Sequence, residues 1–160
     1  MHTTLRPATP QDFPLIHHIA GDPANQAFIA DETDAELQAH IDSPDSALLI
    51  WQADGTAAGF ALFCQLTNPS EKTELRRLAL LHTDRGLGQA FLSDLKAFGF
   101  STLGKNRVWL DVAPENTRAI RTYERAGFQH EGRIRATWKR PDGVITDLHL
   151  YGMLRDEWQG

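Results

Sequence analysis

Two glycines one residue apart, Gly86 and Gly88, introduce a stretch in which Leu87, Phe91, Leu95 and Phe98 recur at helical spacing. The first N–H groups of a helix have no intrahelical acceptor, and the helix dipole adds positive potential to them. A turn of this kind suits a phosphate, because the backbone can come close where there is no side chain, and Arg85 can add a charge-assisted contact. The same residues can equally do no more than bend a strand into a helix. Two other phosphate-binding loops do not fit. No Gly-Lys-Ser/Thr follows, as a P-loop requires. A dinucleotide fingerprint would need a third glycine, although Asp111 stands on the next strand where an acidic ribose ligand would.

A second group of residues follows on the next helix. Asn116 is placed to cap it, Ala119, Ile120 and Tyr123 lie along it, Gly127 stands where a left-handed residue would end it, and Phe128 returns to the core. The order from Glu74 to Gly132 is strand, Gly-x-Gly, helix, strand, then Asn-x-x-Ala-x-x-x-Tyr-x-x-x-Gly-Phe and Glu131-Gly132. Together these resemble the GNAT superfamily of acetyl-CoA-dependent N-acetyltransferases.

The resemblance implies an α/β fold in which a central, mostly antiparallel sheet of about seven strands contains one splayed parallel pair and carries helices on both faces. It implies acetyl-CoA as cosubstrate, with the backbone amides of Gly86, Leu87, Gly88, Gln89 and Ala90 holding the pyrophosphate. The strand at Ala79 and Leu80 would run beside the pantetheine arm, and Asn116 would touch that arm. Tyr123 would stand next to the sulfur, the Leu80 N–H would meet the developing oxyanion, and Glu74 would act as general base, directly or through water. Thr83 departs from the family pattern, which often has Gln or Arg there, so one expected phosphate contact is either lost or replaced by Arg85. The tail Glu131-Gly132-Arg133-Ile134-Arg135, with Asp142-Gly143 and Asp147, looks like the branch of ribosomal-protein alanine, polyamine and amino-sugar acetyltransferases.

Transfer of an acyl group from a thioester needs a neutral amine, a donor for the oxyanion and some stabilisation of the leaving thiolate, and no covalent enzyme nucleophile. A phenol near pKa 10 is within about two units of a simple thiol near 8.5, so Tyr123 can protonate or hydrogen-bond the sulfur. Each of these residues also has a plainer role: Tyr123 as an aromatic packed on the sheet, Glu74 as a solvated charge at a strand end, Asn116 as a helix cap. Cys64 lies in the apolar run Phe60–Cys64, which raises a thiol pKa and makes a poor nucleophile.

The elements that must position these groups can also be read. A strand over Thr3–Pro7 is followed by a helix capped by Thr9, with Phe13, Ile16 and Ala20 on one face, and by a second helix opened by the capping box Thr33–Glu36 and closed near Ile41. Ala47–Trp51 and Ala57–Leu66 form a hairpin about Asp54-Gly55. Glu74–Leu81 and Arg107–Val112 flank the glycine helix, and a connection through a helix makes them parallel. Gly132–Lys139 and Val144–Met153 form a terminal hairpin about Pro141-Asp142-Gly143.

With 160 residues and no repeat or linker, the chain reads as one domain, residues 1–160. Net charge is −5 with dispersed basic residues, which excludes a nucleic-acid footprint, and the seven histidines lack metal-ligand spacing, so no metal site is expected. One unpartnered cysteine and the lack of a leader or a long apolar run point to the cytoplasm and away from membranes. The expected partner is a small-molecule or peptide amine, shaped by Phe28–Ile41 and Arg133–Asp147, with Trp109, Trp138, Asp31, Glu32 and Asp34 as wall candidates. A homodimer is also expected, with Trp158 as a possible apolar anchor. The alternative to an enzyme is a catalytically silent acyl-CoA-binding sensor of the same fold.

Overall fold

The computed structural model describes every residue from Met1 to Gly160. The elements are β1 (Thr3–Pro7), α1 (Phe13–Gly21), α2 (Asp34–Asp42), β2 (Ser46–Ala53), β3 (Thr56–Cys64), β4 (Lys72–Leu80), α3 (Gly88–Ala97), β5 (Arg107–Val112), α4 (Thr117–Arg125), β6 (Gln129–Lys139) and β7 (Ile145–Leu154). They build one seven-stranded sheet in the order β1-β2-β3-β4-β5-β7-β6. All neighbouring strands are antiparallel except β4 and β5.

Strand alternation divides the core between the two faces of this sheet. Leu49, Trp51, Phe63, Leu75, Val108, Leu110 and Val112 point to one face, where Phe91, Leu92 and Leu95 of α3 and Tyr123 of α4 cover them. Leu48, Ile50, Phe60, Leu62 and Ala79 point to the other, beneath Phe13, Ile16 and Ile19 of α1 and Leu37 of α2. Trp51 locks α3 onto its face twice over. Its ring lies 5.0 Å from Phe91, and its indole N–H donates to Asp94 at 2.7 Å.

Several sequence signals act as their chemistry dictates. Asp54 (φ 49°) and Gly55 (φ 79°) give the left-handed pair that a tight hairpin between β2 and β3 requires. Thr33 and Glu36 form the reciprocal capping box of α2. Gly127 (φ 97°) ends α4, with the Phe128 N–H returning to the Tyr123 carbonyl at 3.1 Å.

Other expectations need correction. The strand predicted to reach Leu66 stops at Cys64, where Gln65 turns left-handed at φ 65°. The helix after the glycine turn ends in a wider π-type turn over Phe98–Thr102, which carries Phe100 into the core. Trp158 stacks on Phe100 with ring centroids 5.4 Å apart, so one face of its ring is used within the chain. In the terminal hairpin, Ile134 pairs with Leu148 and Trp138 with Thr146, so Arg135–Thr137 bulge out opposite Asp147 and Ala136 takes φ 47°. The Asp147 carboxylate holds the bulge by accepting the Ala136 N–H at 2.7 Å.

Candidate active site

β4 and β5 pair only through Lys72–Glu74 and Arg107–Trp109. A β-bulge explains the parting: on the β3 side, Arg77 pairs with Leu62 but Leu75 pairs with Phe63, which leaves Arg76 as the extra residue that bends β4. Beyond that point the strands splay, and a cavity of about 500 Å³ opens between them.

The hydrogen-bond alternation of the β3–β4 ladder decides what β4 offers to this gap. The Leu81 N–H donates to the Ala58 carbonyl at 2.8 Å, and Gly59 stands opposite Leu80. Alternate residues of an antiparallel pair turn their polar groups to opposite sides, so Leu78 and Leu80 aim N–H and C=O away from β3, into the splay. Ala79 and Leu80 both line the cavity.

On the α3–α4 face, the N–H groups of Gly86, Leu87, Gly88, Gln89 and Ala90 make no hydrogen bond to any protein acceptor, the first backbone bond of the helix being Phe91 N–H to Leu87 O. Gly86 adopts φ 69° with open space where a Cβ would stand. Gly88 lies against α4, where a Cβ would come within 3.2 Å of the Thr122 methyl, and Gln89 donates to the Thr122 carbonyl at 3.1 Å. The glycine turn therefore brings an unpartnered row of donors up against the second helix. This is the donor chemistry that a pyrophosphate needs, and the residues present fit coenzyme A.

The ionisable groups occupy both sides of the splay. Asp111 and Glu74 line the cavity together with Arg76. Glu74 is buried and held by Arg76, whose Nη2 lies 2.8 Å and Nε 3.2 Å from the carboxylate. Asp111 has no such partner. Burial, reinforced by the neighbouring Glu74 charge and only partly opposed by Arg76, pushes its carboxyl up to about 6. On the opposite face, burial and the Asp111 charge raise the Tyr123 phenol well above its ordinary value, so it stays protonated. The Tyr123 ring packs edge-on to Phe128 at 6.3 Å, and its hydroxyl makes no hydrogen bond within the protein. Asn116 caps α4 by accepting the Ala119 N–H at 3.3 Å and lines the cavity as well.

Among the residues singled out from sequence, Glu74, Ala79, Leu80, Gly86, Gly88, Gln89, Asn116 and Tyr123 gather round the one cavity, and Thr83 is there too. Leu87 and Ala90 offer backbone amides without lining it, and Arg85 is exposed outside it. Of the candidate acceptor wall, Phe28, Ile29, Ala30 and Trp138 reach the cavity. Trp109 does not, since its indole is turned to Gln65 at 3.2 Å. Asp31 and Asp34 are engaged by His17 at 2.8 and 2.6 Å, and Glu32 by His40 at 2.9 Å. Sequence reading saw in Asp111 only the relic of a ribose ligand. The signal that could have promoted it is its alternation with Leu110 and Val112, which places it on the face opposite Tyr123.

The acetyltransferase (GNAT) domain family matches residues 2–129. An uncharacterized N-acetyltransferase of Mycobacterium bovis is 31% identical over 75% of this chain and 78% of that protein. Another, from Bacillus licheniformis, is 30% identical over 49% of this chain, a match spanning only 44% of that protein. A spermidine N-acetyltransferase of Vibrio cholerae, solved in complex with CoA and spermine, has the same fold, with a TM-score of 0.84 at 19% identity over 99% of this chain and 98% of that one. No helix is long and apolar enough to cross a membrane. The splayed parallel pair, the row of free amides below it and a family match across most of the sequence agree, and the chain belongs to the GNAT acetyltransferase family.

Proposed function

We propose that this chain, acting as one catalytic domain, transfers the acetyl group of acetyl-CoA to a primary amine by direct attack. The acceptor class is a small amine, an amino sugar or a peptide N-terminus. The reading rests above all on one observation: the Asp111 carboxylate and the Tyr123 hydroxyl, neither with a hydrogen-bond partner in the protein, line one cavity from opposite sides of the splay. Acyl transfer to an amine needs a base on the acceptor side and a donor on the thiol side.

Bound acetyl-CoA supplies an electrophilic thioester carbonyl. The Gly86–Ala90 amides hold its pyrophosphate, Ala79 and Leu80 flank the pantetheine, and the free amide of Asn116 is placed to contact that arm. Asp111 takes the proton from the incoming ammonium group or, through water, from the attacking nitrogen. Burial, with a smaller contribution from the Glu74 charge, keeps Asp111 basic enough for this, and we assign to Asp111 the proton-accepting role expected of Glu74. The Leu80 N–H donates to the carbonyl oxygen as negative charge develops there. Tyr123 hydrogen-bonds the departing sulfur; with its pKa raised above that of a thiol, a hydrogen bond rather than complete proton transfer is its contribution.

Release of free thiol from acetyl-CoA across a panel of polyamines, amino sugars and short peptides tests the reading. Coenzyme binding without turnover of any amine would make the chain a sensor. Absence of coenzyme A binding by calorimetry would overturn both. The phosphate cradle has its own test. Asp tolerates left-handed backbone, so Gly86→Asp should fold, yet its carboxylate would sit among the free amides. Coenzyme A affinity should fall roughly thirtyfold to a hundredfold, as like charge in a binding site costs a few kcal/mol. Affinity within threefold of wild type would remove the turn from the site.

A further inference from the structure

We propose that Asn25 is a positioning residue that registers the acceptor amine against the Leu80 backbone, so that the wall receiving the amine and the strand serving the carbonyl move as one piece. The proposal deepens the acetyl-transfer reading and rests on it.

Asn25 lies in the connection between α1 and α2, and only 6% of it is exposed. Its side-chain amide has two hydrogens, and both are used across elements. Nδ2 donates to the Ile19 carbonyl of α1 at 3.0 Å and to the Leu80 carbonyl of β4 at 3.3 Å. Two carbonyl acceptors fix which end of the amide is nitrogen. The Leu80 carbonyl is therefore not left bare in the splay, where β5 is too far away to serve it. N–H and C=O of one strand residue point to the same side, so the bond that satisfies the Leu80 carbonyl also sets the direction of the Leu80 N–H.

The main chain of Asn25 faces the other way. Its carbonyl accepts the N–H groups of Phe28 at 2.9 Å and Ile29 at 3.0 Å, and its own N–H is held by Asp22 at 2.8 Å. Phe28 and Ile29 line the cavity, on the wall expected to receive the acceptor. One residue thus joins that wall, through its backbone, to the end of β4, through its side chain. Arg77 pins the same segment from outside by donating to the Ala30 carbonyl, so the connection is held at both ends. The Oδ1 of Asn25 accepts no hydrogen bond from the protein, and the residue lines the cavity. That oxygen is the natural acceptor for an N–H of the incoming amine.

Loss of this tie should act on the amine far more than on the coenzyme, because Asn25 makes no hydrogen bond to the Gly86–Ala90 amides that would hold the pyrophosphate. Asn25→Asp keeps the outline but replaces the donor with a second oxygen facing two carbonyls; Asn25→Ala removes the tie altogether. In both, kcat/KM for the amine should fall roughly tenfold to a hundredfold, the usual consequence of misplacing reactants by about an ångström, while the Kd for coenzyme A stays within about twofold. Thermal stability alone would fall if the residue served only to hold the loop. Unchanged amine kinetics in folded variants, or equal losses for amine and coenzyme, would overturn the proposal. Should neither variant fold, the wild-type protein still decides. With coenzyme A saturating and an amine substrate of the panel added, the Asn25 side-chain amide and Leu80 backbone amide resonances should shift together, and if either stays put the proposal is wrong. A wild-type protein that acetylates no amine defeats the acetyl-transfer reading itself, and this inference with it.

Discussion

Replacing Asp111 with Asn should cut acetyl transfer by roughly a hundredfold to ten-thousandfold, the usual worth of a positioned acid or base, with coenzyme A affinity nearly unchanged. The active form of the base is the carboxylate. A carboxyl held at about 6 makes the wild-type rate climb as pH rises through 6, then level off once the group is ionised. That limb should vanish in Asp111→Asn. Stability should move the opposite way. A folded-state pKa raised from 3.8 to about 6 costs the native protein roughly 3 kcal/mol at neutral pH, and the cost disappears as the pH falls below 3.8, where both states are protonated. Asn carries no charge to bury beside Glu74, so the variant should melt higher than wild type at pH 8 while turning over far more slowly. A variant with full turnover, or a wild-type profile with no inflection near 6, would remove Asp111 as the base.

Tyr123→Phe is the second large effect. The ring should pack as before, and because the hydroxyl has no protein partner, removing it should leave the melting temperature unchanged or slightly higher. Turnover should nevertheless fall roughly tenfold to a hundredfold, since a donor to developing charge acts only in the transition state. Coenzyme Kd and amine KM should hold. Burst kinetics would separate the slowed chemical step from product release, and unchanged turnover would leave Tyr123 as a packing residue only.

What could be read from sequence follows from how local each signal is. The hairpin at Asp54-Gly55, the Thr33–Glu36 cap, the glycine turn and the Gly127 stop are each written in a few adjacent residues, and each forms as its residue types require. The parallel placement of β4 and β5 follows from a helix between them. The bulge at Arg76 is different, because it is a register difference between two strands and only the ladder reveals that Leu62 and Phe63 face residues two apart. Asp111 was missed for the same reason: alternation marks it as turned from the core, and only the splay turns that direction into a cavity. Asn25 was invisible because its partners lie six and 55 residues away, on a helix end and a strand end that no sequence pattern brings together. Trp138 was named from its type alone, and the bulge before it is the structural reason for its altered pairing.

That bulge also bears on how the edge of the sheet avoids stray strand pairing. β6 is an edge strand of eleven residues, largely exposed, with Ile134 outside the core. Long, flat, exposed edges recruit strands from other chains and seed aggregates. Here the register breaks twice, and no more than three consecutive residues, Gly132–Ile134, pair without interruption. Arg133, Arg135 and Lys139 add charge along the same edge. The protein thus exposes a polar backbone rim beside the cavity without offering any stretch straight enough for a stray strand to zip onto.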